Sequence, residues 1–136
     1  MKTHLITALT TLYCIGAQAA NIEITFTDMN NLSGELYVAV YNSEDAFSKK
    51  RAMQSQIVSV YKKDQKVILA DVPAGEYSVM VFQDLDGNHQ LNTNMLGIPT
   101  EPYGFSTNPR LMGPPTFGAI RFPVTEELVA ISINME

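Results

Sequence analysis

Between Asp84 and Asn94 the sequence sets an oxygen-bearing side chain at every second position: Asp84, Asp86, Asn88, Gln90, Asn92 and Asn94. That pattern suits a hard cation, since Ca²⁺ takes about six to eight oxygens and alternate residues of a tight loop can wrap it from one side. Asp84, Asp86, Asn88 and Asn92 are the candidate ligands. The run departs from an EF-hand, because Gly87 falls at the fourth place rather than the sixth and Met95 stands where a bidentate Glu would close the loop. The alternation equally suits an Asx-turn network, in which Asp and Asn side chains accept local backbone N–H groups without metal.

Other chemistry is sparse. Two carboxylates held about 5 to 9.5 Å apart can hydrolyse a glycoside, and Asp86 with Glu101 is the pair nearest to that role. A Ser106, His89, Asp84 triad can be drawn, but His89 lies in a polar turn rather than beside an orienting partner. Zinc would lack its usual nitrogen and sulfur ligands beyond His89. Tyr103, Phe105 and Phe117, near Glu101 and Arg110, offer an aromatic platform for a small molecule or glycan, although the same residues could pack a long loop onto a sheet.

These candidates share one stretch, residues 83–118, which has little periodicity in a chain whose other connections should span only about 4 to 6 residues. It carries five of the seven prolines and five of the eight glycines, so its unfolded ensemble is restricted while tight turns stay open to it. Leu96, Ile98, Tyr103, Phe105, Leu111, Met112 and Phe117 supply the apolar groups that a disordered linker lacks. An ordered loop laid over a sheet is expected.

The elements that must hold this loop read as short strands. Ile22, Ile24 and Phe26 alternate with Glu23, Thr25 and Thr27, and Leu36, Val38 and Val40 alternate with Tyr37, Ala39 and Tyr41, the signature of half-buried strands. The turn residues between them suggest a hairpin. Ser43 is a suitable N-cap for a short helix around Phe47, and the following Lys49-Lys50-Arg51 run reads as a solvated face. Residues 57–61 and 65–70 suggest a second hairpin. Glu76 to Phe82 is apolar on both faces, as expected for a strand covered on both sides. Residues 120–124 and 129–135 complete six to seven strands, with one short helix. The expected fold is all-β, a two-sheet antiparallel sandwich.

The start of the chain reads as an address. Lys2, the apolar stretch from Leu5 to Ile15 and the Ala17-Gln18-Ala19 ending fit a signal peptide over residues 1–19, leaving residues 20–136 as one domain in the periplasm or outside the cell. The stretch is shorter than the roughly 20 apolar residues of a membrane span, so no integral membrane segment is expected after cleavage. Cleavage would remove Cys14, the single cysteine, and with it any disulfide. A net charge of -5 argues against nucleic acid as a partner.

Four runs in order carry a resemblance: Val72-Pro73-Ala74-Gly75-Glu76-Tyr77; Asp84-x-Asp86-Gly87-Asn88; Leu96-Gly97-Ile98-Pro99-Thr100-Glu101-Pro102-Tyr103-Gly104-Phe105-Ser106; and Gly113-Pro114-Pro115-x-Phe117. Together they resemble the bacterial domain-of-unknown-function family 2141 across nearly the whole mature chain. The resemblance implies an exported bacterial β-sandwich, with Asn92 standing where many relatives are expected to carry an acid. The Pro-Ala-Gly-Glu-Tyr segment is also similar to the turn-to-strand piece of transthyretin-like and carboxypeptidase-regulatory domains, an analogy of fold alone. The expectation is a non-enzymatic exported module that binds a small molecule, glycan or envelope protein through residues 83–118, with Ca²⁺ as a possible stiffener. The alternatives are an envelope hydrolase using Asp86 and Glu101, and a purely structural envelope component.

Overall fold

The structure is a computed structural model describing residues 18–125 and 127–136; residues 1–17, where most of the expected signal segment falls, lie outside the described residues. Eight strands and two short helices follow one another as β1 (Ala19–Thr27), β2 (Glu35–Tyr41), α1 (Glu44–Ser48), β3 (Gln54–Ser59), β4 (Lys66–Pro73), β5 (Gly75–Asp84), β6 (Tyr103–Phe105), α2 (Phe117–Ile120), β7 (Phe122–Val124) and β8 (Leu128–Asn134). The fold is all-β. A three-stranded sheet, β4-β1-β8, faces a five-stranded one, β3-β2-β5-β6 with β7 also on β5. Every pairing is antiparallel except β1 with β8, which is parallel.

The core forms where the two alternating faces meet. Ile22, Ile24 and Phe26 of β1, with Val67 and Leu69 of β4 and Ile133 of β8, bury against Leu36, Val38 and Val40 of β2 and Tyr77, Val79 and Val81 of β5. Each such aliphatic side chain, fully buried, contributes about 1.5–3 kcal/mol of transfer free energy.

Two expectations of pairing are corrected. β1 and β2 form no hairpin, and neither do β3 and β4, because both connections cross from one sheet to the other. Alternation specifies which face of a strand is buried but not which strand lies beside it. Side-chain amides make the difference. Gln83 Nε2 donates to Asn31 O at 2.9 Å and Ser33 O at 2.7 Å, tying down the first crossing. Buried Gln65 accepts from Tyr61 N and donates to Ser59 O, tying down the second. The strand and helix counts also rise above the expected six to seven and one, since the long loop itself contains β6 and its end opens α2.

β6 returns the loop to the body. It pairs with β5 on one side and meets the chain end on the other, Tyr103 N donating to Glu136 O at 3.1 Å and Glu136 N to Tyr103 O at 2.9 Å. This junction leaves no room at Gly104, where an added Cβ would lie 2.5 Å from Ile133 Cγ2 and 2.6 Å from Asn134 O. Replacing Gly104 by Ala should therefore cost about 1–3 kcal/mol through overpacking. Urea unfolding measures it, and an unchanged midpoint would show that β6 is not wedged against β8.

Candidate functional site

β5 ends at Asp84, and the oxygen-rich turn begins there. Asp84 is 1% exposed. Its Oδ1 accepts Gly87 N at 2.8 Å and its Oδ2 accepts His89 N at 2.8 Å. Left-handed backbone at Gly87 and His89 curls the chain round the carboxylate. From the far end of the same segment Glu101, also buried, accepts Leu85 N on Oε1 at 2.9 Å and Asn92 N on Oε2 at 3.0 Å. Asp86, exposed, accepts Asn88 N and the Asn92 side-chain amide, while Asn88 Oδ1 accepts Gln90 N. Asn94 Oδ1 accepts Leu96 N and Ile98 N further on.

The four expected ligands therefore do come together, and Asp84, Asp86 and Glu101 each present an oxygen within 4.8 Å of the others. Glu101 is the member that spacing left out of the ligand set. It lies far along the chain and returns only because residues 85–100 close on themselves, through Asn94 N to Ile98 O and Thr100 N to Asn92 O. All six oxygens of the three carboxylates accept an N–H, so backbone and amide donors already hold the turn shut. Burial works to raise the Asp84 carboxyl, but the N–H groups of His89, Gly87 and Asn88 and the Asp86 side chain outweigh it and hold the group below its ordinary value.

The Asp86 and Glu101 pair of the hydrolase alternative is built into this turn, with both Glu101 oxygens occupied by backbone donors. His89 is exposed and contacts Tyr37 Oη through Nδ1, with its Nδ1 3.9 Å from Asp84 Oδ2. Burial, then Glu35 and Asp84, push the Tyr37 phenol up from its ordinary value, so it stays protonated. Ser106, the nucleophile of the drawn triad, is fully buried and contacts Val79 N and Ile120 O.

The aromatic candidates divide. Phe117 is buried on α2, and Arg110 is exposed. Tyr103 and Phe105, by contrast, stand on the outer face of the five-stranded sheet with ring centroids 5.5 Å apart. They are not alone there. Register places Ile57, Tyr37, Phe82 and Tyr103 in one row across β3, β2, β5 and β6, and Ser55, Ala39, Met80 and Phe105 in the next. Tyr37 and Phe82 stack at 4.9 Å with planes 12° apart.

This face floors a trough of about 1040 Å³, just above the roughly 300–1,000 Å³ of small-molecule sites. Leu91, Leu96, Ile98 and Pro99 from the first half of the loop contribute to its walls, as do Leu111, Pro114 and Pro115 from the second half and Phe47 from α1. Sequence reasoning found Tyr103 and Phe105 but missed Tyr37, Phe82, Met80 and Ile57. Their signal was in the sequence, since residues 76–82 are apolar on both faces and the outer positions Tyr37, Ala39 and Tyr41 of β2 carry no charge. The outer face of the other sheet is more polar, with Glu23 paired to Lys66 at 2.8 Å beside Thr25 and Ser132, although Ile68 is exposed among them.

Fold and site together define a β-sandwich with a loop-walled apolar trough on one outer face. The chain belongs to the family described as an uncharacterized protein conserved in bacteria (DUF2141), whose model matches residues 24–132. No match was found among curated proteins or among solved structures.

Because the folded Asp84 carboxyl sits below its unfolded value, its stabilisation is complete above the ordinary Asp value near 3.9 and is lost as pH falls through the folded value. Asp84→Asn should therefore melt lower than the native chain at neutral pH and show a flatter decline on acidification. Parallel acid slopes in thermal melts would contradict this. Glu101→Gln, which turns an amide NH₂ toward a backbone donor, should cost about 1–3 kcal/mol, measured by urea unfolding at neutral pH; an unchanged unfolding free energy would contradict the role of Glu101.

Proposed function

We propose that the protein is an exported, non-enzymatic binding module of the periplasm or cell exterior that takes an apolar small molecule in the trough. One observation carries the reading. A sheet face turned to solvent should be polar, yet here two registered rows are apolar or aromatic at every position but Ser55 and are walled by a long loop instead of being covered by a second layer. The signal pattern of residues 1–19 supports export. Among the described residues the trough lining contains no Cys, His, Asp or Glu, which favours binding over chemistry.

A neutral fluorescent probe such as N-phenyl-1-naphthylamine should bind saturably at one site. Ala39→Trp, which fills the floor without touching the core, should abolish the signal at an unchanged melting temperature. Failure of the native chain to bind, or full binding by the variant, overturns the reading.

A second reading, Ca²⁺ at Asp84, Asp86 and Glu101, is favoured by the convergence of three carboxylates within 4.8 Å. With every oxygen already accepting an N–H, the ion would reinforce a turn that closes without it. Ca²⁺ at millimolar concentration should raise the melting temperature, with Mg²⁺ as control. Absence of both calorimetric heat and a thermal shift rejects it.

A further inference from the structure

The trough carries a charge asymmetry. The chain holds fourteen acidic against nine basic residues, yet among the described residues the single charged side chain lining the trough is Lys50. The three consecutive cations that read as one solvated face are divided by the structure. Lys49 and Arg51 both pair with Asp45, the latter at 2.7 Å, whereas Lys50 makes no ion pair among the described residues. Lys50 also has left-handed backbone, φ 53°, a conformation uncommon for a residue with a Cβ, and it sets Lys50 apart from its two neighbours.

The charge sits at one end, while neutral polar groups are spread along the lining. Lys50 and Ser48 belong to the α1 end, and Ser55 lies toward that end through its pairing with Ala39. The rest of the lining is mainly apolar, Leu96 and Ile98 included, with Gln56, Thr93 and the Tyr37 and Tyr103 phenols as its uncharged polar groups. Beyond the lining, Met95 and Met112 stand fully exposed on the two halves of the loop.

We propose that the occupant is a single-chain amphiphile with one anionic head, a long-chain carboxylate, whose head meets the Lys50 ammonium while its tail lies over the Tyr37 and Phe82 rings. This rests on the reading of the trough as a binding site and adds the ligand class. A cationic amphiphile would find no carboxylate in the lining, and a sugar would find too few polar groups along the aromatic rows. A phosphate monoester brings roughly 1.5 to 2 negative charges at neutral pH, more than one ammonium balances in an acidic chain. A monocarboxylate matches the single cation.

The test is displacement of the neutral naphthylamine probe from the full chain by dodecanoate, dodecanol, dodecyl phosphate and dodecyltrimethylammonium, each below its micellar concentration. Dodecanoate should bind about tenfold more tightly than dodecanol, a difference of about 1.4 kcal/mol, and more tightly than the other two. Lys50→Gln should bring dodecanoate down to the level of dodecanol, leaving the alcohol's affinity and the melting temperature unchanged. Lys50→Arg should keep the preference, and so should Lys49→Gln. Equal binding of acid and alcohol by the native chain, a preference that survives Lys50→Gln, or tighter binding of the phosphate or the ammonium overturns the ligand class alone. If the native chain binds neither the probe nor any amphiphile, the trough reading itself fails.

Discussion

Two carboxylates withdrawn from water, Asp84 and Glu101, hold the segment between them by accepting four backbone N–H groups, from Gly87, His89, Leu85 and Asn92. Burying a charged group is costly unless its hydrogen bonds are replaced, and here the charge is paired with donors that the turn would otherwise leave unsatisfied. The two needs cancel, and the product is a closed turn at the end of a central strand. The first wall of the trough, Leu91 to Pro99, is strung between these anchors, and β6 opens at Tyr103, two residues beyond Glu101.

The second wall has different supports. Asn108 bonds Ser132 O and Asn134 N of β8, and Thr107 and Ser106 contact the carbonyls of Ala119 and Ile120 on α2. The loop is thus stapled to β5, to β8 and to α2, with exposed apolar side chains between the staples. Gly34 completes the packing beneath the first anchor: at φ 73° it comes so close that a Cβ would lie 2.0 Å from Asp84 O. The connection between the first two strands and the start of the loop therefore form one packed unit.

Much of this was legible in the residues. Period-two alternation gave the two-sheet architecture and the buried faces, and the proline, glycine and aromatic content of residues 83–118 marked an ordered loop. Pairing was not legible, because it depends on Gln65 and Gln83, polar residues that alternation treats as exposed but that the structure buries at the sheet crossings. The cation-like run was legible as a turn, but the partnership of Glu101 was hidden by its distance along the chain. The trough was half legible. Tyr103 and Phe105 stood out and residues 76–82 read as a strand covered on both sides, whereas Tyr37 looked like the outer residue of a half-buried strand until register set it beside Phe82. Phe117, similar in type to Phe105, lies on α2 and is buried, a distinction that residue type alone does not carry.

Amide hydrogen exchange at Leu85, Gly87, His89 and Asn92, resolved by NMR at neutral pH, tests most directly whether buried carboxylates hold the loop as a rigid wall. The account requires these four amides to exchange as slowly as amides within the sheets, although the residues around them are largely exposed. Exchange at the rate of an unstructured chain, with the sheet amides still protected, would contradict it.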